Sequence, residues 1–75
     1  MSEELASTLG NIIRTLRLQA GWPLDFVAHK LGVPPLVLAR LERGKLLPST
    51  VMLVRMSLLF SVSADTLLAL PAARA

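Results

Sequence analysis

Between Leu31 and Leu36 the chain reads Gly32-Val33-Pro34-Pro35, and no other four residues constrain its fold as much. Glycine accepts the left-handed conformation that closes a helix, and a residue before proline is pushed out of the helical region. Val33 and Pro34 are therefore expected to be extended, while Pro35, which has no amide hydrogen to satisfy, suits the first position of a new helix. Two helices then meet across about three residues, the tight connection of a helix-turn-helix unit. Val27, Ala28 and Leu31 give the preceding helix an inner face, and Leu38 and Leu41 give one to the helix that follows.

The other glycines and prolines punctuate the chain in the same manner, and no segment keeps the alternation of a strand. The reading is all-α: one compact five-helix domain over residues 1–75. A first helix runs from about Glu3 to Ala20, with Ser2 as N-cap, Gly21 as stop, and Leu5, Leu9, Ile13 and Leu16 facing inward. The second helix covers about 23–31 and opens near Pro23; the third covers about 35–43 and ends at Gly44. Pro48-Ser49 opens a fourth that reaches about Phe60. Ser63 opens a short fifth that Pro71 stops, with Leu67, Leu68 and Leu70 partly buried.

Seventy-five residues fit one small domain, and a chain of that size buries only about 60% of its unfolded surface. Yet 53% of it is hydrophobic before glycine is counted, where an ordinary domain reaches about 45–50% with glycine included. Some of that surplus is expected to face a partner. With no cysteine and one histidine the chain offers no disulfide framework and no zinc site, so no cofactor is expected. It also lacks a Ser-His-Asp set and a Gly-rich phosphate loop, so it is not read as an enzyme. The start, Met1-Ser2-Glu3-Glu4, is acidic where a secretory leader is basic, which predicts a cytoplasmic protein. The most apolar stretch, Leu46 to Leu70, is broken by Pro48, Arg55 and Asp65, so no membrane span is predicted.

The run from Gly21 to Lys45, GWPLDFVAHKLGVPPLVLARLERGK, resembles the core of the Cro/C1-type repressor family, also called the XRE family, and the similarity extends from Leu9 to Leu68. The resemblance implies a compact Cro/C1 repressor-like domain whose third helix is the recognition-type helix. It also implies a buried ion pair between Arg17 on the first helix and Glu42 on the third, with Arg14 as a second, more exposed arginine. The family commonly forms a two-fold dimer through its last helices, so a monomer or a homodimer is expected.

Where the resemblance implies contact with DNA, the sequence departs from it. Relatives place a small polar residue and a glutamine at the start of the second helix, and this chain has Pro23 and Leu24. The first turn of the recognition-type helix normally reads base edges with hydrogen-bonding side chains. Here the matching positions are Pro34, Pro35, Leu36 and Val37, none of which can hydrogen-bond a base. After Gly44-Lys45 come Leu46 and Leu47, and Ile12, Leu18, Val51, Met52 and Leu58 are further apolar residues at usually polar positions.

Charge points the other way. Arg14, Arg17, Lys30, Arg40, Arg43, Lys45 and Arg55 face only Asp25 and Glu42 in the same stretch, within a chain of net charge +3, a balance compatible with nucleic acid. A basic rim around an apolar patch also suits an acidic protein. Two functions follow. In the first, the chain regulates transcription by protein contact, as an antiactivator or antirepressor of the kind found on mobile elements. It docks Leu24, Pro35, Leu36, Val37, Leu46 and Leu47 on a transcription factor, with Arg40, Arg43 and Lys45 at the rim. In the second, a dimeric repressor or controller protein binds an operator through Arg14, Leu36, Val37, Arg40, Arg43 and Lys45. His29 is read as a solvated side chain, and Trp22 as a core plug or helix staple.

Overall fold

The computed structural model describes residues 2–67. Four helices of two turns or more succeed one another: α1 (Ser2–Ala20), α2 (Leu24–Leu31), α3 (Pro35–Glu42) and α4 (Thr50–Phe60). A single helical turn, α5 (Ala64–Leu67), follows at the end of the described residues. No strand occurs among those residues, so the fold is all-helical. The expected remainder of a fifth helix up to Pro71, with Leu68 and Leu70, lies outside the described residues.

One hydrogen-bonding device closes the first three helices. At the end of α2, Gly32 takes a left-handed φ of 76°; its amide donates to the His29 carbonyl at 3.1 Å, and the Val33 amide donates to the Ala28 carbonyl at 3.0 Å. This paired arrangement satisfies carbonyls that the helix leaves open and reverses the chain in two residues. The same pair of bonds recurs at Gly21 after α1 and at Gly44 after α3; after α4 the Val62 amide donates to the Ser57 carbonyl at 3.0 Å, and the Ser61 amide donates to that same carbonyl. Ser61 carries a side chain at φ 57°, a conformation that costs a non-glycine residue about 1–2 kcal/mol. Ser61→Gly is therefore expected to raise the thermal midpoint.

Helix starts follow the prolines and serines, with small shifts. Pro23, expected to open the second helix, instead precedes it as an extended N-cap with ψ 158°. The helix begins at Leu24, and the Pro23 carbonyl accepts from the Val27 amide at 3.3 Å. Pro34 is extended (ψ 148°) and Pro35 is the first residue of α3, as the clash before a proline requires. The third helix stops at Glu42, one residue before the expected end, with Arg43 at its C-cap. Ser49 Oγ accepts the Met52 amide at 3.1 Å to start α4, and Ser63 Oγ accepts the Thr66 amide at 3.1 Å ahead of α5.

Leu9, Ile13, Val27, Ala28, Leu31, Leu38, Leu41, Met56 and Leu67 form one buried cluster drawn from all five elements. The inner face of α1 differs from expectation: Leu5 is exposed, and Ala6, Leu9, Gly10 and Ile13 are buried. Their spacing of three, one and three is a single helical stripe, and Leu5 stands one position off it. Gly10 explains the choice. A Cβ there would press on the Leu41 carbonyl oxygen and lie 2.7 Å from that of Glu42, so only a glycine lets the end of α3 approach α1 this closely. Gly10→Ala is expected to destabilise the domain by about 1–3 kcal/mol, read as a fall in thermal midpoint of roughly 4–8 °C per kcal/mol.

Candidate functional site

The Arg17–Glu42 pair fixes where α3 lies. Arg17 Nε donates to Glu42 Oε2 at 2.6 Å and its Nη2 donates to Oε1 at 3.0 Å, a bidentate fork, while Nη1 reaches the Trp22 carbonyl at 3.1 Å. The two side chains are only 12% and 6% exposed. One guanidinium thereby ties α1, the α1–α2 turn and α3 together. The hydrogen bond to Glu42 raises the Arg17 pKa further above its already high ordinary value, against the opposing effect of burial. Trp22, half-buried, stacks on Phe60 with ring centroids 5.8 Å apart and tilts against Phe26 at 5.4 Å, so it fastens the same turn to the end of α4.

This pair floors a groove of about 310 Å³ lined by Arg14, Arg17, Leu24, Ala39, Glu42 and Arg43. Arg17 is neutralised within it. Arg14 and Arg43, exposed at its sides, have no ion-pair partner among the described residues.

Along the outer side of α3, Leu36 is 60% exposed, and Arg40 and Arg43 are exposed one and two turns further on. Spacings of four and three place all three on one stripe about 10 Å long. Pro34 and Pro35 are exposed beside Leu36; Lys45, Leu46 and Leu47 are exposed in the connection beyond the helix. Leu24 and Val37 are half-buried and packed against the core, and Leu24 also lines the groove beside Arg14 and Arg43. Along the chain the exposed apolar residues Pro35 and Leu36 precede Arg40 and Arg43, and Leu46 and Leu47 follow them.

Arg55 has another role than the sequence indicated. Its Nη1 donates to the Leu31 carbonyl at 3.0 Å, a cation at the negative end of α2, so it leaves the set of cations available to a ligand. The two residues are 24 apart in sequence, and no local signal joins them. Lys30 Nζ lies 5.4 Å from the centroid of the Phe26 ring, within cation–π range. Arg14, Arg40, Arg43 and Lys45 remain. His29 is exposed. Among the described residues no group of three His, Cys, Asp or Glu is placed to hold a metal ion, and no helix is long and apolar enough to cross a membrane.

Three solved structures share this fold. The restriction-modification controller protein C.AhdI from Aeromonas hydrophila is 21% identical with a TM-score of 0.76, over 83% of this chain and 94% of the controller. An HTH_3 family transcriptional regulator from Vibrio cholerae is 26% identical with a TM-score of 0.80, over 92% of this chain but only 39% of the regulator. The hypothetical transcription factor NHTF from Neisseria is 24% identical with a TM-score of 0.80, over 96% of this chain and 82% of that one. None of the curated protein sequences compared matches the chain. Residues 13–67 match the family model described as Helix-turn-helix, HTH_3; with α2 and α3 joined by a tight turn and locked to α1 by Arg17–Glu42, this chain belongs to the HTH_3, or XRE-type, helix-turn-helix family.

Proposed function

We propose that this protein regulates transcription by protein contact, binding a transcription factor through the outer stripe of α3 as an antiactivator or antirepressor. The observation that carries this reading is Leu36, 60% exposed in the first turn of α3 beside Pro34 and Pro35, where no side chain can donate to or accept from a base edge. An exposed leucine held on a rigid helix instead suits an apolar pocket on a protein. Arg40 and Arg43, on the same stripe, suit carboxylates flanking that pocket. Affinity purification from the native cell is expected to return a transcription factor in stoichiometric amount. Nanomolar, sequence-selective binding of the chain to its own upstream DNA at about 150 mM salt, the affinity of a specific complex, overturns the reading.

A second reading, a dimeric repressor or controller protein on an operator, is favoured by one observation. Arg14, Arg40, Arg43 and Lys45 are all exposed, without an acidic partner among the described residues. Neutralising four phosphates per chain, eight per dimer, gives a slope of about −7 for log K of the dimer against log salt. Under the protein-contact reading the same titration yields weak binding that does not discriminate sequence.

A further inference from the structure

The groove between α1, the start of α2 and α3 is lined by one acidic residue, Glu42, and that carboxylate is fully committed. Its Oε2 accepts from Arg17 Nε and its Oε1 from Arg17 Nη2. Arg14 on α1 and Arg43 at the C-cap of α3 therefore line the same groove with no carboxylate left for them. Neither forms an ion pair among the described residues, and both are exposed. Between them, Leu24 and Ala39 contribute only apolar side chains to the wall. The volume, about 310 Å³, is at the low end of ligand sites, room for one side chain and too little for a helix.

We infer that the groove seats one glutamate side chain of the partner transcription factor, its carboxylate between Arg14 and Arg43 and its two methylenes against Leu24 and Ala39. This inference rests on the protein-contact reading and adds a chemical requirement on the partner. Two arginines without a counter-charge favour an anion, and charge-assisted bonds of this kind are the strong ones. Glu42 does not repel it, because Arg17 already neutralises that carboxylate.

The walls select a protein carboxylate over a backbone phosphate. A phosphate has no methylene stem and is held by donors, which the side chains of leucine and alanine lack. A glutamate places its stem on those same walls and only its charged end between the guanidinium groups. Arg43 also joins the groove to the α3 stripe. It lies seven residues beyond Leu36, about 10 Å along the helix. A partner helix with an apolar residue on Leu36 and a glutamate two turns away meets both.

Arg14 stands on α1, off the α3 stripe, so the two proposals part at this residue. Against the captured transcription factor, Arg14→Ala is expected to lower affinity about tenfold or more, the loss of a charge-assisted hydrogen bond. Lys30→Ala removes the same charge outside the groove and is expected to change affinity less than about twofold, as a screened surface charge. Arg14→Lys keeps the charge and supplies an amine. A carbodiimide, which joins an amine to a carboxylate and not to a phosphodiester, is expected to link residue 14 to one glutamate of the partner, identified by mass spectrometry. Full-strength binding by Arg14→Ala, where Leu36→Asp abolishes capture, overturns the groove inference and leaves the α3 reading standing. Equal losses from Arg14→Ala and Lys30→Ala make the effect long-range and overturn it too, as does the absence of any link from residue 14. Failure to capture a transcription factor, or sequence-selective operator binding that falls with Arg14→Ala, overturns both proposals.

Discussion

Leu36→Asp is expected to abolish capture of the transcription factor while leaving the circular dichroism spectrum and the thermal midpoint unchanged. Leu36 is 60% exposed, so its substitution removes little from the core, and surface changes of this kind usually shift stability by less than about 0.5 kcal/mol. At a partner surface the same residue is the apolar anchor of its stripe. Truncating an anchor of that kind costs about 2 kcal/mol or more, which is about a thirtyfold loss of affinity, and the aspartate adds the cost of burying a charge in an apolar pocket. The second reading gives a contrasting result: Leu36→Asp brings a carboxylate toward phosphates, whereas Arg43→Ala removes one phosphate contact per chain and lowers the dimer's salt slope by about two. Isothermal titration against the captured partner, beside a salt titration with DNA, separates the two. Leu36→Asp that still binds the partner at full strength excludes the α3 stripe as the docking surface.

Glu42→Ala is expected to produce the largest loss of stability of any substitution considered, about 3–5 kcal/mol, because it leaves Arg17 as a buried charge without its partner. A domain of this length has a total stability of roughly 4–11 kcal/mol, so the variant is largely or wholly unfolded at moderate temperature. Replacing both residues by methionine leaves no orphaned charge and is expected to cost far less than the single change. Urea unfolding of Glu42→Ala, Arg17→Met and the double variant measures the difference, and a Glu42→Ala cost below about 1 kcal/mol identifies the pair as a solvated surface contact. The Arg17 pKa is raised in the folded chain. Its contribution is therefore fully present below the ordinary arginine value and is lost only as pH rises through the higher folded one, so the contribution of Arg17 does not change between pH 7 and 10.

Much of the fold was legible because it rests on local chemistry. The positive φ of Gly32, the extended Pro34 and the start at Pro35 follow from the sterics of glycine and proline, whichever neighbours surround them. The serine caps at Ser49 and Ser63 are equally local. On α1 the inward positions Leu9, Ile13 and Leu16 are legible and only Leu5 is not, because Leu5 and Ala6 both fit a helical stripe. What selects Ala6 is the approach of α3 over Gly10, a contact between segments about thirty residues apart. Arg55 was counted as a surface cation for the same reason, since its acceptor, the Leu31 carbonyl, is supplied by another helix.

The candidate site divides along the same line. Residue types alone set the lack of hydrogen-bonding side chains from Pro34 to Val37, because what a proline, leucine or valine can donate does not depend on context. They also set the excess of arginine and lysine between Arg14 and Lys45. Which of those residues a ligand meets was decided only in three dimensions. Packing half-buried Leu24 and Val37 against the core, Glu42 neutralised Arg17, and the turn of α3 left Leu36, Arg40 and Arg43 exposed on one stripe. On α4, Val51 and Leu58 were legible as apolar residues at usually polar positions, and both are exposed. A helix apolar all round, however, does not say which of its sides the rest of the chain will cover, and that choice belongs to the tertiary packing of Met52, Leu53 and Met56 against the core.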